Sequence, residues 1–103
     1  MQINQQILEK IPILAETCKK HKVSKLYLFG SVLTENFNNQ SDIDMLVEFD
    51  EKLSPVERGE LYWQLDEILP EILSRKVDIV TIGSLKNKYF IQNINKTKFT
   101  IYE

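Results

Sequence analysis

Asp42 and Asp44 stand two residues apart, ten residues after the pair Gly30-Ser31. The run IDMLVEF over residues 43–49 has the composition of a β-strand, and on a strand positions i and i+2 leave the same face. Two carboxylates so placed repel each other unless a cation lies between them. Their hard oxygens suit Mg²⁺, which is usually held by one or two carboxylates together with substrate phosphates. Gly30-Ser31 follows the apolar run LYLF and supplies a permissive backbone and a hydroxyl near an expected helix start, a setting that accommodates phosphate. Asp78 is the best third carboxylate. It alternates with Val77 and Ile79 and so points away from them, and a strand lying beside 43–49 would bring it to the same cleft. Three carboxylates are the usual minimum for a two-metal transfer to or from a phosphate.

Each of these residues has a plainer role to set against the chemical one. Asp42 beside Ser41 suits a strand-start cap, and Asp44 an ion pair with a lysine or arginine. Asp78 lies close in sequence to Arg75 and Lys76, which suits a surface pair. Ser31 suits a simple helix cap, a role compatible with phosphate contact. The charges Lys86 and Lys88 suit a solvated helix face, and Glu48 lies too far along its strand to join Asp42 and Asp44. The chemical reading rests on the set. An acid at the start of a mostly apolar strand is costly unless it reaches solvent or a cation.

The elements that must position the set follow from periodicity. Ile3, Ile7, Ile11, Leu14 and Cys18 form an apolar helical stripe, predicting one helical region over 3–21, either kinked at Pro12 or beginning near residue 11. Residues 23–29 read as a buried strand with Leu26 and Leu28 on one face and Tyr27 and Phe29 on the other. A short helix is expected over 31–35, a polar loop over 36–40, and a second strand over 43–49 with Ile43, Met45, Val47 and Phe49 on its apolar face. Ser54-Pro55-Val56-Glu57 carries the signature of a capping box, opening a helix over 54–69 with an extension to 73. A third strand is expected over 77–82, then a helix capped by Ser84 and running to about 93. The tail TKFTIYE is read as a short edge strand or an extended segment. The expected fold class is α/β (α+β), a small mixed sheet of three to four strands flanked by helices.

With 103 residues, 43% hydrophobic and 27% charged, the chain has the composition of one ordinary globular domain, 1–103. A net charge of −2 gives no basic excess for strong general binding to nucleic acid. The cluster Lys19, Lys20, Lys22 and Lys25 suits a helix end. A lone cysteine, Cys18, excludes an internal disulfide and fits a reducing cytoplasm. A lone histidine, His21, lacks the partners of a zinc site or a histidine triad. No apolar run approaches membrane-spanning length, and no signal-peptide pattern is present.

The motif Gly30-Ser31, Asp42-x-Asp44, with its preceding strand KLYLFGS and the later acidic strand KVDIVTI, resembles the nucleotidyltransferase signature of the DNA polymerase beta superfamily. In length and order the chain is most similar to the minimal nucleotidyltransferase (MNT) proteins, commonly paired with a HEPN-domain toxin as its antitoxin. The resemblance implies that Asp42 and Asp44 hold the metal of the triphosphate and that Asp78 completes a second metal site and helps activate the acceptor hydroxyl. It implies that Gly30 and Ser31 contact the β- and γ-phosphates. The implied cofactors are two Mg²⁺ ions, with ATP as donor, and the implied reaction is AMP transfer to a tyrosine of the HEPN partner. The chain departs from the common family run at Thr34 and Glu35, where many members carry arginine and glycine. The competing expectation is an MNT-fold antitoxin with weak or no activity that neutralises its partner by binding, with Tyr62, Trp63, Tyr89 and Phe90 as candidate contacts. A third expectation, a transferase acting on an antibiotic or metabolite, ranks last because no appended substrate domain is visible.

Overall fold

A computed structural model describes residues 3–103. The element order is α1 (Gln5–Lys20), β1 (Val23–Phe29), a 3-10 turn (Gly30–Leu33), β2 (Ile43–Phe49), α2 (Pro55–Leu73), β3 (Val77–Thr81), a second 3-10 turn (Ile82–Ser84), α3 (Lys88–Thr97) and β4 (Phe99–Tyr102). The four strands form one mixed sheet in the order β3-β2-β1-β4. β1 runs antiparallel to β2 and β4, and β2 runs parallel to β3 through the α2 crossover. The tail is therefore an edge strand.

The two faces of the sheet are covered unequally. Leu26 and Leu28 of β1, Ile43, Met45 and Val47 of β2, and Val77 and Ile79 of β3 join Ile7, Leu14 and Cys18 of α1 and Leu65 and Leu69 of α2 in the main core. The opposite face carries a smaller cluster of Tyr27, Phe29, Leu46 and Ile94, the last from α3. Alternation along the strands dictates this division. Because the apolar residues of β2 are odd-numbered up to Phe49, its even-numbered Asp44 must lie on the α3 side. Cys18 is a core residue, and burial pushes its thiol pKa up to about 12.

Local chemistry explains the helix ends. Asn4 caps α1, its side chain accepting from the Gln6 N–H at 2.8 Å. α1 therefore begins well before Pro12, which sits inside the helix on its exposed side. The Leu8 carbonyl bond that proline cannot supply is lost there, close to water. The predicted capping box of α2 is present: Ser54 Oγ accepts from the Glu57 N–H at 3.2 Å, and Glu57 Oε1 accepts from the Ser54 N–H at 3.2 Å. α2 continues through Pro70 to Leu73 and ends at Ser74 in the left-handed region, φ 53°. Ser54→Ala is expected to lower the unfolding free energy by about 1 kcal/mol. An unchanged urea midpoint would show that the cap carries no stability.

Two expected elements are shifted. The short helix expected over 31–35 is a 3-10 turn that begins at Gly30 and stops at Leu33. Thr34 closes it, donating both its N–H (2.9 Å) and its hydroxyl (2.8 Å) to the Ser31 carbonyl. The third helix does not start at Ser84, whose hydroxyl donates to the Thr81 carbonyl at 2.8 Å and closes a turn. The cap is Asn87, accepting from the Phe90 N–H at 3.1 Å, so α3 starts at Lys88 and runs on to Thr97.

Candidate active site

The sheet register sets Phe29, Asp44 and Asp78 side by side in one row across β1, β2 and β3. Neighbouring strands lie about 4.8 Å apart, so Asp44 and Asp78 are adjacent on the α3 face, near the edge where β1 ends and β2 and β3 begin. Asp44 is half-buried and Asp78 exposed. Burial, then the charge of Asp78, then that of Asp42, raise the Asp44 pKa above the usual carboxylate value. A carboxyl group held against like charges is the electrostatic state that a bound cation relieves.

Gly30 lies against this carboxylate. Its φ of +79° is in the left-handed region, and a Cβ built on it would lie 2.5 Å from Asp44 Oδ2. Only glycine serves both requirements without strain. Ser31 follows it, partly exposed. Among the described residues its hydroxyl takes part in no hydrogen bond, while its carbonyl is used by Thr34.

Asp42 is placed differently. It precedes β2 and lies 3.9 Å from Lys76 Nζ, an exposed ion pair of little energetic weight. Lys76 thus pairs with Asp42 and not with Asp78. Arg75 is also engaged elsewhere, its guanidinium 4.3 Å over the Phe37 ring and donating to the Asn38 carbonyl. Among the described residues neither Asp44 nor Asp78 has an ion-pair partner. The structure brings Asp44, Asp78 and Gly30 together and leaves Asp42 at the margin. Among the described residues no three His, Cys, Asp or Glu side chains are grouped closely enough to enclose an ion. The donor set still fits a hard divalent cation, since two adjacent carboxylates with an uncompensated charge leave ligand positions for substrate oxygens.

Sequence reasoning missed the wall beside Gly30. Phe90, Asn93, Ile94 and Thr97 of α3, at spacings i, i+3, i+4 and i+7, face Gly30, Leu33 and Thr34. That spacing was visible, but a helix ending near 93 concealed it. Phe90 packs edge-on against Phe29, ring centroids 6.2 Å apart.

A groove of about 740 Å³ lies elsewhere, between α2 and the C-terminal end of β3, and includes Arg58, Tyr62 and Ile82. None of the five candidate residues lines it. Ligands of open parallel sheets commonly bind at the carboxyl ends of strands, which is where this groove lies. The acids sit at the amino ends of β2 and β3, and the uncompensated charge there is the stronger indication of chemistry. Tyr62 serves a structural purpose at the groove, its hydroxyl donating to the Ile79 carbonyl at 2.7 Å.

Residues 13–103 match the family model described as "Polymerase beta, Nucleotidyltransferase". A Methanocaldococcus jannaschii protein named "Putative protein adenylyltransferase" is 40% identical over 77 residues, covering 75% of each chain. A solved structure described as a "putative minimal nucleotidyltransferase" superposes with a TM-score of 0.70 at 21% identity, over 95% of both chains. The MNT-antitoxin complex of a tri-AMPylated HEPN toxin from Shewanella oneidensis gives a TM-score of 0.55 at 24% identity, over 94% of this chain and 71% of that one. At such identities the two structures speak for the fold, and the sequence matches carry the kinship. The chain belongs to the polymerase beta nucleotidyltransferase family.

Proposed function

We propose that the protein is a Mg²⁺-dependent protein adenylyltransferase that moves AMP from ATP to a tyrosine hydroxyl of a HEPN toxin and thereby acts as its antitoxin. The observation that carries this reading is the adjacent pair Asp44–Asp78, uncompensated and set against the left-handed Gly30. The printed name of the M. jannaschii relative and the AMPylated HEPN toxin in the Shewanella complex support the choice of donor and acceptor.

Asp44 and Asp78 would hold the cation, with Asp42 joining them on release from Lys76. When bound, Mg²⁺ supplies charge neutralisation for the triphosphate and for the oxygens that enter and leave the α-phosphorus. Gly30 leaves backbone open to the phosphates, and Ser31 offers a free hydroxyl donor. The tyrosine oxygen bonds to the α-phosphorus, the bond from that phosphorus to the bridging oxygen of the β-phosphate breaks, and pyrophosphate leaves. The phenolic proton passes to a carboxylate, with Asp78 the exposed one of the pair, and then to water. Thr34 closes the turn behind Ser31 with its hydroxyl, so this segment is ordered without the arginine common in the family.

Masking without chemistry is the second reading. It rests on Trp63 and Tyr89, 67% and 81% exposed, which offer apolar contact surface. Incubation with ATP, Mg²⁺ and the HEPN partner, followed by intact mass spectrometry, separates the two. AMP-sized additions to the partner are expected, and they should be absent without Mg²⁺. A tight complex with no added mass would leave masking as the function.

A further inference from the structure

α2 carries an apolar face that the fold leaves uncovered. Val56 and Trp63 are 72% and 67% exposed, and Ile82, across the groove beyond β3, is exposed as well. Val56, Gly59 and Trp63 stand at i, i+3 and i+7 and so share one side of the helix, with Gly59 in the wall of the groove. We infer that this face is a docking surface for the protein partner, and that it receives a helix of that partner whose apolar side chains are flanked by lysine or arginine. The inference rests on the reading that the protein acts on a partner protein, and it gives that partner a grip separate from the carboxylates.

Gly59 argues for a helix. Glycine inside a helix is less stable than alanine, and nothing in the chain requires it here. Its φ is not left-handed, and a Cβ built on it meets nothing within 4 Å. The backbone is bare toward the outside, between the exposed side chains of Val56 and Trp63. The distance between two packed helices depends on the side chains at the contact, and glycine permits the closest approach. Tryptophan beside such a contact is a common anchor of protein interfaces. An added strand fits less well. The Lys76 carbonyl accepts from the Ile43 N–H of β2, so by alternation the Ile79 carbonyl faces the open edge of β3, and it already accepts from Tyr62.

Charge selects among occupants. The net charge of the chain is −2, yet α2 alone bears five acidic residues against one basic residue, Arg58. Glu60 and Glu67 stand three residues before and four after Trp63, and Glu48 and Glu51 line the groove. Two copies of the chain packed through this face would set acid against acid, and nucleic acid or an anionic membrane would be repelled. A cationic helix meets the complementary potential. The face also ends near the chemistry. Thr81, in the groove wall, lies about 10 Å along β3 from Asp78. A partner held here can present a neighbouring side chain to the acids without its grip filling the site.

The test titrates the HEPN partner into the protein by calorimetry without nucleotide. Trp63→Ala is expected to weaken binding about tenfold or more. Gly59→Gln places a helix-favouring side chain in the approach and should weaken binding about tenfold, with a Tm equal to or above that of wild type. Lost affinity in that variant is then not a folding defect. Glu60→Lys should weaken binding several-fold at low salt and flatten its salt dependence. Tyr89→Ala, on the exposed side of α3, is the control and should bind as wild type does. Amide exchange on the partner should show protection concentrated in a helix that bears lysine or arginine. Unchanged affinity in Trp63→Ala and Gly59→Gln, loss in Tyr89→Ala alone, or protection of an acidic or extended segment would overturn the inference. The transfer reading fails separately: affinity lost in the variants, with no AMP added to the partner by wild type, keeps the surface and removes the chemistry. Wild-type protein that does not bind the partner would overturn the partner assignment, and the surface with it.

Discussion

Asp44→Asn is expected to lower nucleotidyl transfer by about 10³-fold and, in the absence of metal, to make the protein more stable. The first effect follows from position. Asp44 is the half-buried member of the acidic row, next to Asp78 and against Gly30. An amide in its place keeps the shape but loses the anionic ligand and its share of charge stabilisation, a loss of several kcal/mol at the transition state. The second effect follows from the same charges. Burial, Asp78 and Asp42 raise the folded-state pKa of Asp44 above its unfolded value. Between the two values the folded protein binds more protons than the unfolded chain, so stability falls as pH rises through this window. At neutral pH wild type carries the whole penalty and the variant none. With EDTA present, Tm of the variant should exceed that of wild type by about 2–4 °C, given that solvent screening holds such a repulsion below ~1 kcal/mol. The gap should close as pH falls below the ordinary carboxylate range, where Asp44 is neutral in both states. Mg²⁺ should raise the wild-type Tm more than that of the variant. A variant no more stable than wild type at pH 7 in EDTA would show that the row is not under electrostatic strain. Undiminished transfer would remove Asp44 from the site.

Gly30→Ala is expected to damage both stability and chemistry through one methyl group. A non-glycine residue at φ +79° costs about 1–2 kcal/mol. For a domain of this size that corresponds to a Tm lower by roughly 5–10 °C. The new Cβ also meets Asp44 Oδ2 at 2.5 Å, and the carboxylate must swing aside. A ligand displaced by about 1 Å commonly costs ~10²-fold in rate. The two parts separate in a double variant. Asp44→Ala removes the clash but not the backbone strain, so Gly30→Ala should cost less stability in that background than alone. Equal costs in the two backgrounds would show that the close approach of Gly30 and Asp44 is absent. Urea unfolding of the four proteins, with transfer measured on wild type and Gly30→Ala, reads out both parts.

What the chain determined by itself is local. The α1 stripe, the alternation of β1 and β2, the capping box at Ser54 and Glu57, and the return of Asp44 to the face opposite Ile43 and Met45 depend on neighbours within a few residues, and all are present. Where local rules competed, the sequence left the choice open. Pro12 suited either the start or the interior of a helix, and the Asn4 cap decided for the interior. Ser84 was the expected cap of the third helix, but its hydroxyl is spent on the Thr81 carbonyl and Asn87 caps the helix instead. Tertiary structure alone decided the pairings. Asp78 is 34 residues from Asp44 in sequence, and only the parallel register of β2 and β3 makes them neighbours. Lys76 lies close enough in sequence to Asp78 for a surface pair, yet the structure sets it beside Asp42. The α3 wall beside Gly30 exists because α3 crosses the face that α1 and α2 leave free. Such contacts depend on how the sheet is ordered and which face each helix covers, and that is settled by burial of the whole apolar surface at once, beyond the reach of any window of sequence.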